Sequence, residues 1–106
     1  MNSEENKILK LDLQKEELEI VKNIIKKYIP DKIVWVFGSR INGKAKPFSD
    51  LDLVIVDEKP LDFQLFVELK NAFEESDLAI KVDLVEWINL SDSFRNIILK
   101  CYFVLN

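Results

Sequence analysis

Apolar residues in the first third of the chain recur at helical spacing. Leu18, Val21, Ile25, Tyr28 and Ile29 fall on one side, with Glu16, Glu17, Glu19, Lys22, Lys26 and Lys27 opposite. Acids lead and lysines trail, Asp12 is placed to cap the start, and Pro30-Asp31 stops the run. This predicts a helix from about Leu13 to Ile29. The period then changes. Ile33-Val34-Trp35-Val36-Phe37 is continuous, apolar, β-branched and aromatic, as in a central strand buried on both faces, and Gly38-Ser39 ends it. Ile41 to Ser49 holds Asn42-Gly43 and Pro47, which predicts a short helical turn or loop. Leu51 to Val56 reads as a second strand. Pro60 and Asp62 introduce a helix over Phe63 to Glu75, Ile80 to Trp87 reads as a third strand, and Ser91 caps a last helix through Lys100. Tyr102 to Leu105 fits either a short edge strand or a continuation of that helix. The order helix, strand, strand, helix, strand, helix predicts an α+β fold: a small mixed β-sheet with helices packed on one side.

Composition narrows the chemistry. A length of 106 residues suits one domain over 1–106, with 1–11 a loose lead-in. Nineteen acids outnumber fifteen basic residues, for a net charge of −4, so the basic footprint of a nucleic-acid binder is missing. The single cysteine, Cys101, excludes an internal disulfide and a thiolate metal cluster, and its apolar surroundings in sequence read as core. The absence of histidine removes Ser-His and Cys-His catalysis and most zinc sites. No apolar run approaches the ~18–20 residues of a membrane span, so a cytoplasmic protein without a membrane partner is expected. Chemistry must rest on carboxylates, lysines, hydroxyls and backbone amides.

Two acids interrupt an otherwise apolar strand. Asp50 and Asp52 are two residues apart, which points both carboxylates to one face while Leu51 and Leu53 point to the other. Paired carboxylates in a partly dry site repel and raise each other's pKa unless a cation sits between them. With only hard oxygen donors, Mg2+ is the natural ion and Mn2+ a substitute. Upstream, Gly38-Ser39 closes a buried strand and opens a turn, so glycine admits a close backbone approach and exposed amides can hold phosphate. Asp83 is a third acid inside an apolar strand, unfavourable there unless it joins the same cluster, where it can complete a three-carboxylate metal site and accept a proton. Arg40 is assigned to the nucleotide, the other reading being a loop tie to an acid. Lys44 and Lys46 either attract triphosphate or are simply solvated. Trp35, Phe37 and Trp87 read as core.

Gly38-Ser39, ten residues, then Asp50-Leu51-Asp52 resembles the signature of the DNA polymerase β-like nucleotidyltransferases. Gly38-Ser39-Arg40, Gly43 and Ser49-Asp50-Leu51-Asp52-Leu53 resemble more narrowly the minimal nucleotidyltransferases, the MNT proteins that pair with HEPN-domain toxins. At about 6% per fixed residue, four such positions arise by chance in roughly one chain of this length per thousand. The resemblance spans nearly the whole chain. It implies a mixed sheet flanked by helices, ATP as substrate, Asp50, Asp52 and Asp83 as magnesium ligands, Asp83 as base, and Gly38 and Ser39 on the triphosphate. It also implies AMP transfer to tyrosine hydroxyls of a HEPN toxin, with the chain acting as antitoxin in a hetero-oligomer. One departure is local: family members often carry Ala-Arg where this chain has Ile41-Asn42.

Two other functions compete with this enzyme. A binding antitoxin would silence its partner by complex formation alone, but such a scaffold has no reason to keep clustered acids. Transfer to a small molecule would need an acceptor pocket, for which a chain of this length has no further residues.

Overall fold

The computed structural model describes residues 11–106; the expected loose lead-in lies, save for Leu11, outside them. Helix α1 runs Lys15–Tyr28, strand β1 Ile33–Phe37, the single helical turn α2 Ser39–Asn42, and β2 Leu51–Val56. Helix α3 follows at Phe63–Glu74, β3 at Val82–Glu86, a 3-10 turn at Trp87–Asn89, α4 at Asp92–Lys100, and β4 at Phe103–Val104. The tail is therefore an edge strand.

Local signals explain most boundaries. The Asp62 carboxylate accepts from the Leu65 amide at 3.1 Å and starts α3, and the Ser91 hydroxyl accepts from the Phe94 amide at 3.2 Å and starts α4. Helix α1 starts later than expected. Gln14, not Asp12, stands at its N-cap, and the Glu17 carboxylate reaches back to the Gln14 amide at 3.1 Å. Asp12 and Leu11 belong instead to a non-helical segment before α1, where Leu11 packs against the core. β3 is shorter than expected because Trp87 begins the 3-10 turn.

The four strands form one mixed sheet in the order β3-β2-β1-β4. β1 runs antiparallel to β2 and β4, whereas β3 runs parallel to β2 after the crossover through α3. This is the mixed-sheet α+β fold expected, except that the helices are not all on one side: α1 and α3 cover one face, and α4 packs on the other. Side-chain alternation divides the sheet. Val34, Val36, Leu51, Leu53 and Ile55 point to one face, are buried, and share a core with Val21 and Ile25 of α1 and Leu69 and Phe73 of α3. The other face carries Trp35, Phe37, Asp52, Val54, Asp83 and Val85, and the C-terminal segment roofs part of it. Trp35 stacks on Tyr102 with centroids 4.0 Å apart and meets Trp87 edge-on at 5.6 Å, while Phe37 meets Phe94 of α4 edge-on at 5.8 Å. All three aromatic residues expected in the core thus pack against other rings.

Candidate active site

Register, rather than a loop, brings the acids together. Asp52 is the second residue of β2 and Asp83 the second of β3, and the two are partners in the parallel ladder. Their side chains therefore leave adjacent strands, about 5 Å apart, on the same face. Phe37, the last residue of β1, is paired with Asp52 from the other side. Gly38 follows immediately, with φ at +82°, a region that L side chains rarely adopt. A Cβ at Gly38 would overlap the Asp52 carboxylate. Glycine is thus required here twice, for the backbone and for room beside the acid.

Asp52 is half-buried, and its pKa is pushed up from 3.8 to about 6. Burial is the largest cause, followed by the charges of Asp83 and Asp50. None of these three acids forms an ion pair or hydrogen bond among the described residues. The all-oxygen donor set has the chemistry that a hard divalent cation such as magnesium takes. The fit is incomplete in one respect. Among the described residues no three acids already stand close enough to hold one ion. Asp50 lies just before β2 and is exposed, and Asp83 is exposed on the outermost strand, so both carboxylates would have to gather around the ion. Asp83 stands beside Asp52 on the same face, although it is exposed and not buried.

A cavity of about 350 Å³ opens on this face. Gly38, Asn42, Asp52 and Asp83 supply its polar wall, and Phe94, Ile97, Ile98 and Cys101 of the C-terminal segment its apolar wall. Ser39, Asp50 and Arg40 are not among its lining residues. Ser39 is half-buried and starts α2 one residue beyond Gly38. The guanidinium of Arg40, expected on the nucleotide, is buried and bonded to the backbone carbonyls of Pro47 and Ser49 in the neighbouring loop and of Asp12 before α1. Lys44 and Lys46 are exposed on that loop.

Sequence reasoning missed two parts of the cavity. In the sequence Asn42 reads as half of an Asn-Gly turn and as part of the departure at Ile41-Asn42. Its Oδ1 accepts from the Lys44 amide at 3.0 Å, which leaves its NH2 as a donor beside the cavity. The apolar wall was signalled by the i, i+3, i+4, i+7 spacing of Phe94, Ile97, Ile98 and Cys101, but periodicity cannot say that this stripe lies over the acids.

Comparison with known proteins places this geometry among relatives. Residues 5–105 match the family described as Polymerase beta, Nucleotidyltransferase. The chain is 55% identical over 95 residues to the Probable protein adenylyltransferase MntA of Haemophilus influenzae, covering 90% of this chain and 83% of that protein. It is 30% identical over 89 residues to the Protein adenylyltransferase MntA of Thermococcus cleftensis, covering 80% and 89%. Among solved structures, a toxin–antitoxin complex with AMP-PNP superposes with a TM-score of 0.68 at 23% identity, covering 84% of this chain and 72% of that one. The complex of tri-AMPylated Shewanella oneidensis HEPN toxin with its MNT antitoxin gives 0.63 at 20% identity, covering 89% and 72%. At these identities the two complexes speak for the fold.

Proposed function

The chain belongs to the polymerase beta nucleotidyltransferase family, and we propose that it is a protein adenylyltransferase that moves AMP from ATP to a hydroxyl of a partner HEPN toxin, acting as its antitoxin. The observation that carries the reading is the Asp52–Asp83 register pair beside Gly38, set in a chain more than half identical to a protein adenylyltransferase. A toxin partner is supported by the two complexes that share the fold, and a HEPN toxin by the one from Shewanella oneidensis.

Each residue then has a task. The backbone of Gly38 and the amide and hydroxyl of Ser39 hold phosphate oxygens of ATP, and the NH2 of Asn42 adds a neutral donor at the same end. Asp50, Asp52 and Asp83 would hold Mg2+, or Mn2+ in its place, and the bound ion would supply charge neutralisation for the triphosphate. Asp83, exposed on the outermost strand, accepts the proton of the attacking hydroxyl, for which a tyrosine of the partner is the acceptor. The hydroxyl oxygen bonds to the α-phosphorus as the bond to pyrophosphate breaks. No described helix is long and apolar enough to cross a membrane. Dependence on ATP suits a cytoplasmic protein, and one domain, 1–106, suffices because the acceptor arrives on a separate chain.

The test is incubation with α-labelled ATP, Mg2+ and the HEPN protein encoded beside this chain. Whole units of AMP on the partner, absent when Asp52→Ala replaces the wild type, establish the reaction. A stable complex with no label overturns it and leaves an antitoxin that acts by binding alone.

A further inference from the structure

Among the described residues one charged side chain is buried, that of Arg40, and it has no acidic partner there. An unpaired buried guanidinium is costly unless its donors are satisfied, and backbone carbonyls satisfy them. Nε and Nη2 both donate to the Ser49 carbonyl, at 3.3 and 2.8 Å. Nη2 also donates to Pro47 O at 3.2 Å, and Nη1 to Asp12 O at 3.2 Å. The Asp12 amide donates in return to the Arg40 carbonyl at 2.6 Å. One side chain thus ties three segments: the turn after Gly38, the non-helical segment before α1, and the loop before β2.

The doubly held carbonyl is the one whose peptide nitrogen belongs to Asp50. The exposed Asp50 side chain has little packing to fix it, so its position is inherited from the backbone on either side. On one side the Leu51 amide is locked into the ladder by Lys81 O at 2.9 Å. On the other, Arg40 holds the peptide. We infer that Arg40 is a positioning residue, whose guanidinium fixes the loop over residues 43–50 and so sets Asp50 against Asp52 beside the phosphate-binding turn. The inference rests on reading Asp50 as the metal partner of Asp52. The fork geometry of arginine is needed, because a lysine ammonium is a compact point charge that cannot span three carbonyls.

The test compares Arg40→Met and Arg40→Lys with Val21→Ala, a buried change on α1 that lowers stability without touching the loop. One readout needs neither metal nor partner. It is hydrogen exchange at the Lys46 and Ser49 amides, which bond within the loop to Ser49 Oγ at 2.8 Å and Lys46 O at 3.0 Å. The other is calorimetric affinity for a non-hydrolysable ATP analogue with Mg2+. Arg40→Met is expected to speed exchange at both amides and to weaken analogue binding, each about tenfold, with Arg40→Lys intermediate and Val21→Ala near wild type. If Arg40→Met does not fold, Arg40→Lys carries the same comparison. Exchange no faster than in Val21→Ala overturns the inference. Weakened binding at unchanged exchange also overturns it, and assigns the guanidinium to the nucleotide itself. A wild type that binds no nucleotide sinks the proposed function instead, while exchange still decides whether Arg40 holds the loop.

Discussion

The two faces of the sheet are built from alternate residues of the same strands, yet they do opposite things. On the closed face, Leu51, Leu53 and Ile55 of β2 and Val34 and Val36 of β1 are buried against α1 and α3 and hold the domain together. On the open face, the same strands carry Asp52 and Phe37 beside Asp83 and end in Gly38, whose backbone is held in a region other residues rarely occupy. The first face is stable because it is dry and apolar. The second is only half dry: burial and the charges of Asp83 and Asp50 raise the pKa of Asp52, yet the group stays within reach of solvent. The comparison teaches that a one-residue step along a strand separates stability from chemistry, and substitutions should divide the same way.

The largest effect is expected on the open face. Asp52→Ala should lower AMP transfer about a thousandfold or more, since it removes the carboxylate proposed as the central metal ligand. It should leave the circular dichroism spectrum intact. Transfer within tenfold of wild type would break the division at its strongest point. Three residues along β2, Ile55→Ala should do the reverse, costing about 2–5 kcal/mol in denaturant unfolding through transfer and cavity terms. At a temperature where the variant is folded, its transfer rate should match the wild type, and a rate loss as large as that of Asp52→Ala would show the faces to be coupled.

Gly38→Ala sharpens the comparison because it strikes both properties at once. The new Cβ would meet the Asp52 carboxylate at a positive φ. A backbone held in a sparsely populated region costs roughly 1–3 kcal/mol. Displacing Asp52 by a fraction of its own length should cost about a hundredfold in rate. Melting and transfer assays on one preparation check this, and loss of stability with full activity would mean that Asp52 yields without consequence.

Much of this division was legible in the sequence, for reasons that alternation supplies. The i, i+2 spacing of Asp50 and Asp52 against Leu51 and Leu53 gives the two faces directly, and Asp83 one strand later reveals the third acid. Gly38 was legible as a site of close approach, although the group that approaches includes the Asp52 carboxylate as well as any phosphate. Arg40 was legible only in part: a loop tie was one of its two readings, but with an acid as the partner. A cation next to Gly38-Ser39 reads as a phosphate ligand, and only folding reveals that the carbonyls of Asp12, Pro47 and Ser49 converge on it. The burial assumed for Asp83 also failed, because sequence order does not say which strand lies at the edge of a sheet. The roof formed by α4 was hidden for a similar reason: its stripe predicts a buried face but not what the stripe covers.

The smallest predicted effect tests the cost of the open face. The folded pKa of Asp52 is raised to about 6 from 3.8, so the unfolded chain gives up this proton more readily than the native one. Between those two values the native state holds more protons, and stability from this group falls as pH rises. Above about 6 the whole penalty is present; below about 4 none remains. A shift of this size corresponds to roughly 3 kcal/mol, but half of the group faces water, so about 1 kcal/mol is expected after screening. Asp52→Asn keeps the shape and removes the charge. In metal-free buffer at pH 7.5 it should melt about 4 °C above the wild type, and the gain should shrink to nothing by pH 4. Adding Mg2+ should stabilise the wild type more than the variant and narrow the gap at neutral pH. A variant that melts no higher than wild type at pH 7.5 would mean that the open face carries its acids at no cost to the fold.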